Sequence, residues 1–222
     1  MITETVDVST NDPMAAAIEV FTRRGYDATT VDDLADAVAL SRSTFFRRFG
    51  SKEEVVFADH DLLLDQVETY LATSPLPPLE AVCAAGRLVF DHHVDRREVS
   101  VARFALLHDV PALRDRELIT SHRYERAFTR YLRASLAATA DREYVSVAFS
   151  SAAVALHNAI LRRWLLAPAA DLAPELRAQL RALVRAFAPT RDQRRREGVL
   201  VAVFDPEADR ETILESIRQS LG

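Results

Sequence analysis

Residues 40–52 read Leu-Ser-Arg-Ser-Thr-Phe-Phe-Arg-Arg-Phe-Gly-Ser-Lys. They hold Arg42, Arg47, Arg48 and Lys52 and no acid, inside a chain of 222 residues whose formal net charge is −5. Guanidinium groups fork onto phosphate oxygens or guanine edges, and an aromatic edge can meet a thymine methyl. A chain that is acidic overall lacks the general basic field of an electrostatic nucleic-acid binder. Any such contact must therefore be local. Lys52 is the only lysine in the chain. A compositional bias toward arginine explains the residue type equally well, so the spacing carries the signal rather than the type.

Other chemistry finds little support. There is no G-x-S-x-G elbow, P-loop, Rossmann glycine fingerprint or H-E-x-x-H, so no enzyme is expected. The histidines and acids have no metal-ligand spacing, and neither a metal nor a cofactor is expected. His92 and His93 are adjacent and cannot share one helix face, although His92 and Arg96 do. The lone Cys83 excludes an internal disulfide framework and fits a reducing compartment. No apolar run approaches a membrane span and no signal-peptide pattern opens the chain, so a soluble, cytoplasmic protein is expected.

The elements that must position the basic stretch are helical. Glycine is scarce and alanine, leucine and arginine abound. Asp12-Pro13 starts a first helix, with Met14, Ala17, Ile18 and Phe21 on one face and Gly25 as a left-handed cap. Thr30 and Asp33 form a weak capping box for a second helix, whose apolar face is Val31, Leu34, Ala35 and Val38. Ser41 caps a short third helix ending near Phe49, with Gly50 beyond it. The Ser51–Glu54 capping box opens a fourth helix over 51–73. Ser74-Pro-Leu-Pro-Pro78 breaks the pattern. Long amphipathic segments follow at about 79–96, 98–109, 112–139, 142–166 and 172–187.

A tight turn at Ala39-Leu40-Ser41 makes helices two and three a helix-turn-helix candidate. Leu34, Ala35, Val38, Leu40, Phe45 and Phe49 can knit the pair together. Arg42, Ser43, Thr44, Arg47 and Arg48 are left on the outer arc, with Phe46 at its edge. A helical hairpin with a solvated basic face, or an adaptor using 40–49 to bind protein, is the competing reading.

Residues 13–60 resemble the DNA-binding domain of the tetracycline-repressor (TetR) family of bacterial transcription regulators. The resemblance lies in the Gly-Tyr-x-x-Thr-Thr-Val entry, the Ser-x-x-Thr-Phe-Phe recognition helix and the Phe-Gly-Ser-Lys-Glu exit. It implies phosphate contacts from Thr29, Thr30, Thr44, Arg48 and Lys52, base contacts from Arg42 and Ser43, and either from Arg47. Where the family often has glycine and tyrosine, this chain has Ala39 and Phe46; Phe46 is left with apolar contact only.

The fold expected is all-α: a helix-turn-helix domain over 1–50, helix 51–73 connecting, and a ligand-binding and dimerisation bundle over 51–189. An extension over 190–222 follows, with an arginine-rich linker, a short β-strand at 199–204 and a helix at 207–221. The strand is expected to pair across a dimer or to cap its own protomer. The resemblance implies a homodimer on a near-palindromic double-stranded DNA operator, acting as repressor or activator and responding to a small-molecule effector. Apolar walls with polar tips suggest a hydrophobic or amphipathic ligand, and acyl thioesters are one lead from relatives. Candidate lining residues are Phe90, His93, Phe104, Leu107, His108, His122, Phe149 and His157. The candidate dimer face is Val145, Ala152, Ala153, Leu156, Ile160 and Trp164, with Leu180 and Leu183 of the last helix; the alternative is that this face is intramolecular core.

Overall fold

The structure is a computed structural model that describes residues 12–187; the expected strand at 199–204, the helix at 207–221 and the arginine-rich linker lie outside them. Among the described residues every regular element is a helix. They are α1 (Pro13–Arg24), α2 (Val31–Ala37), α3 (Arg42–Phe49), α4 (Asp59–Thr73), α5 (Pro78–Asp95), α6 (Arg97–Asp109), α7 (Pro111–Ser135), α8 (Arg142–Leu166) and α9 (Ala173–Phe187).

The local signals act as their chemistry requires. The Asp12 carboxylate accepts from the amides of Met14 (3.1 Å) and Ala15 (3.4 Å), satisfying donors that the first turn of α1 leaves free. Thr30 and Asp33 close the capping box of α2 reciprocally. Gly25 ends α1 with φ 83° and ψ 150°. It has the positive φ expected of a glycine cap, but its ψ lies outside the left-handed helical well.

The expected single helix over 51–73 is broken. Ser51 Oγ accepts from the amides of Glu53 (3.2 Å) and Glu54 (3.3 Å), but they open a one-turn 3-10 helix at Glu54–Phe57. The α-helix begins only at Asp59. Val55, Val56 and Phe57 are all buried, and three successive side chains cannot share one face of an α-helix. The tighter turn spreads them around the axis, so each finds the interior.

Two apolar clusters hold the chain. One joins Met14, Ala17, Ile18 and Phe21 of α1 to Leu34, Ala35, Phe45, Phe49 and Val55–Phe57, and extends to Leu107 of α6 and Leu113 of α7. The other fills the body between α4, α5, α7, α8 and α9. The head is thus seated on α6 and the start of α7 by shared core rather than by a free linker.

Helix α8 corrects two expectations. It is long and apolar enough to cross a membrane by length and composition alone. It is instead the central helix of the body, in contact with α5, α7 and α9 and burying Ser146, Ser150 and His157 along with its apolar residues. Its inward face also takes three side chains expected at the dimer surface: Ala153, Ile160 and Trp164. Leu180 of α9 is buried with them, while Val145, Ala152, Leu156 and Leu183 are half-buried. Because α8 is apolar nearly all round, periodicity could not choose its buried face.

Candidate functional site

The head presents α3 on a rigid turn. The amide of Leu40 donates to Ala35 O (2.8 Å) and that of Ala39 to Asp36 O (3.1 Å). This is the Schellman ending, in which the residue after the cap is left-handed. That residue is Ala39, at φ 53°. Alanine in this region costs about 1 kcal/mol relative to glycine. The turn therefore keeps the glycine geometry without the glycine. Ser41 Oγ then accepts from the Thr44 amide (3.2 Å) and starts α3.

Phe45 and Phe49 anchor the back of α3, fully or nearly buried with ring centroids 5.0 Å apart. The outer arc is Arg42, Ser43, Phe46, Arg47 and Arg48, all exposed, with Thr44 half-buried. Arg42 is held: Nη1 lies 2.9 Å from Asp32 Oδ2, and its guanidinium sits 5.4 Å from the centroid of the Phe46 ring. Arg48 lies over Phe49 at 5.1 Å. Neither Arg47 nor Arg48 has an ion-pair partner among the described residues.

Other candidate DNA contacts sit less openly. Thr29 is buried and its hydroxyl donates to Gly25 O at 2.7 Å. Thr30 is exposed, with its hydroxyl engaged in the capping box. Lys52 donates to Tyr26 O (3.1 Å) and stands 3.8 Å above the Tyr26 ring.

The body contains a cavity of about 80 Å³. That is room for several waters or for one end of a larger molecule, since the cavity is partly open to the surface. Its apolar wall includes Phe57, Phe104, Leu107, Phe128 and Leu161, and its polar wall His60, His93, Arg103, Tyr124, His157 and Asn158. Of the residues proposed from sequence, His93, Phe104, Leu107 and His157 line it. Phe90 lies behind the wall, edge-on to His157 (6.2 Å) and Trp164 (6.2 Å). Phe149 is core against Phe187. His108 and His122 are exposed, because their positions on α6 and α7 turn them to solvent.

Arg103 was missed. It is 6% exposed and joins three helices: Nη1 donates to Asp59 Oδ1 on α4 (3.1 Å) and to Met14 Sδ on α1 (3.2 Å), and Nη2 to His93 Nδ1 on α5 (3.0 Å). A guanidinium only donates, so His93 carries its proton on Nε2. Asp59 is also bonded by His92 Nε2 (3.0 Å) and lies near Arg96 (3.6 Å), which pairs with Asp12. Burial alone would raise the Asp59 carboxyl, but the Arg103 charge and the His92 bond override it and hold it well below the usual carboxylate range. His60 bonds Tyr124 Oη at 2.9 Å. Burial pushes His60 down to about 3, with Arg103 adding to it, and His157 down to about 4. It also holds His93 well below the ordinary value. All three rings are neutral at pH 7. The one sequence signal was Arg103 itself, a cation between Val99 and Leu107 on an apolar stripe.

The chain's likenesses fit this anatomy. Residues 14–58 match the family of bacterial regulatory proteins described as the tetR family, and residues 76–188 match the MftR C-terminal domain. The HTH-type transcriptional regulator TcmR of Streptomyces glaucescens is 28% identical over 164 residues, covering 70% of this chain and 73% of that protein. Among solved structures, Thermus thermophilus FadR, a TetR-family repressor in complex with lauroyl-CoA, superposes with TM-score 0.54 at 21% identity, over 89% of this chain and 98% of that one. NalD of Pseudomonas aeruginosa, the secondary repressor of a multidrug efflux pump, superposes with TM-score 0.53 at 15% identity, over 79% and 95%. At these identities the structures speak for the fold. With its head matched by one family model and its body, about half of its length, by another, the chain belongs to the TetR family of transcriptional regulators.

Proposed function

We propose that this regulator is a cytoplasmic repressor that reads a near-palindromic operator in double-stranded DNA as a homodimer and leaves it when a small molecule enters the body. The carrying observation is the outer arc of α3. Arg42, Arg47 and Arg48 stand exposed on a helix fixed by Phe45 and Phe49 and by a bonded turn. In the major groove, Arg42, Ser43 and Phe46 meet bases, Arg47 meets base or phosphate, and Thr44 and Arg48 grip phosphate. Lys52 joins them by leaving the Tyr26 carbonyl. Thr29 and Thr30 contribute through the start of α2 rather than through free hydroxyls.

The dimer seam follows the outward face of α8. Tyr144 and Leu166 are 70% and 71% exposed, with Ala155 and Ala159 exposed between them. Small residues there let a second helix approach closely, and half-buried Val145, Ala152, Leu156 and Leu183 form the edge. The domain division is a head to residue 50, a body from 51 to 189 and an extension beyond.

The effector is a hydrophobic or amphipathic molecule in the cavity. Arg103 carries its effect, since one guanidinium touches the cavity, α4 and Met14 of the head. Binding that moves Arg103 shifts the head between arrangements of different DNA affinity. The test is selection of duplexes from a random pool, followed by binding assays: a two-fold-symmetric consensus bound by a dimer is expected, and no enrichment at low salt would overturn the reading.

A further inference from the structure

The charge in the deep wall of the cavity is already balanced. Arg103 and Asp59 are the buried ions, with side chains 8% and 7% exposed. The half-exposed Arg96 is matched by Asp12. Glu117, which also lines the cavity, faces Arg162 of α8 at 3.8 Å. His60, His93 and His157 are held neutral by burial, and Tyr124 is pushed up by burial and so keeps its proton. An anion entering this wall would therefore add an unmatched buried charge, which is costly unless a histidine takes up a proton against its environment or Asp59 is displaced.

The wall nevertheless has hydrogen-bonding capacity to spare. Arg103 spends three of its five N–H bonds on Asp59, Met14 and His93 among the described residues. A buried donor left in this state favours a ligand that completes it. Around it lie Phe57, Phe104, Leu107, Phe128 and Leu161, which reward apolar surface.

We propose that the cavity takes an apolar ligand whose inserted end is uncharged and bears a carbonyl- or amide-type group, with Arg103 donating to its oxygen. The inference rests on the cavity being the effector site and adds the chemical class. It discriminates against free carboxylates of the same shape. A charged portion is compatible only if it stays outside the deep wall.

Matched pairs with identical apolar bodies test this on the full chain: decanamide against decanoate, and 2-naphthamide against 2-naphthoate, by titration calorimetry at pH 7.5. At least one amide is expected to bind ten times or more tightly than its carboxylate. Arg103→Lys, which keeps the charge that Asp59 needs, is expected to lower amide affinity about tenfold with the circular-dichroism spectrum unchanged. Val154→Phe, which fills the cavity, is expected to abolish amide binding. Carboxylates that bind as tightly as their amides, and lose binding in Val154→Phe, would overturn the class while leaving the cavity as the site. Amides that bind Val154→Phe as well as wild type, or four probes that all fail to bind wild type, would overturn the cavity reading and the class together.

Discussion

Arg42 reaches back across the turn to Asp32, Nη1 to Oδ2 at 2.9 Å, while the ring of Phe46 lies beneath its guanidinium. Helix α3 thus carries its first arginine in a set orientation, with an acid beside it on the outer arc. Asp32 sits in the first turn of α2, where the helix dipole favours an acid, and from there it ties α2 to α3. Both side chains are more than half exposed, so the pair itself is worth only about 0.5 kcal/mol. Its weight lies in binding. Asp32→Asn is expected to raise affinity for random duplex severalfold at low salt and to narrow the gap between selected and random duplex. Fluorescence anisotropy on both duplexes reads this; an unchanged gap would mean that Asp32 does not position Arg42.

Ala39 supplies a stability prediction. Its φ of 53° favours glycine, and the position is exposed. Ala39→Gly relieves the strain and adds some unfolded-state entropy, so a net gain of about 0.5 kcal/mol is expected. Urea denaturation measures it. A loss of stability would show that Ala39 contributes packing that the backbone geometry does not reveal.

The Asp59–Arg103 pair gives a double-mutant cycle. Arg103→Met leaves Asp59 buried with the more distant Arg96 as its remaining arginine partner, and is expected to cost about 3 kcal/mol. Asp59→Leu with Arg103→Met should cost less than the sum of the two single changes, because neither charge is then orphaned. Additive costs in chemical denaturation would argue that the pair is not coupled.

Acid should weaken the fold early. The pKa values of His60, His93 and His157 are lowered on folding, so their contribution is complete above the ordinary histidine value of about 6.5 and is lost as pH falls below it, because only the unfolded chain takes up protons. For His60 and His157 the loss continues toward about 3 and about 4. By pH 5 each of these two is expected to have lost about 2 kcal/mol of its contribution. Asp59, also lowered, adds its loss only near and below the ordinary carboxylate range. The melting temperature should fall steeply across pH 6.5–5, less so in His157→Gln. A flat profile would contradict the burial of neutral rings.

The head was legible because its signals are local. Asp12-Pro13, Thr30 with Asp33, Ser41 and Gly50 act on amides within a turn, and sequence spacing fixes such contacts. Phe45 and Phe49 were readable as anchors for the same reason. The cavity depends on pairs far apart in the chain, such as Asp59 with Arg103 and His60 with Tyr124. Nothing in VARFALLHD says that its arginine finds a buried acid 44 positions away. The 51–73 helix failed because three successive buried residues, Val55–Phe57, override a good cap. The face of α8 failed because an all-round apolar helix leaves the choice to its neighbours.

The central claim is that α3 reads DNA through its cationic arc. The direct measurement is the salt dependence of anisotropy on a selected duplex for wild type, Arg42→Ala and Arg47→Ala–Arg48→Ala. Wild type is expected to bind with a strong salt slope. Arg42→Ala should lose about tenfold on the selected duplex and little on random DNA, as befits a base contact. The double variant should weaken binding to both and reduce the slope by roughly one unit for each phosphate contact removed. Wild-type affinity and slope in all the variants would contradict the account.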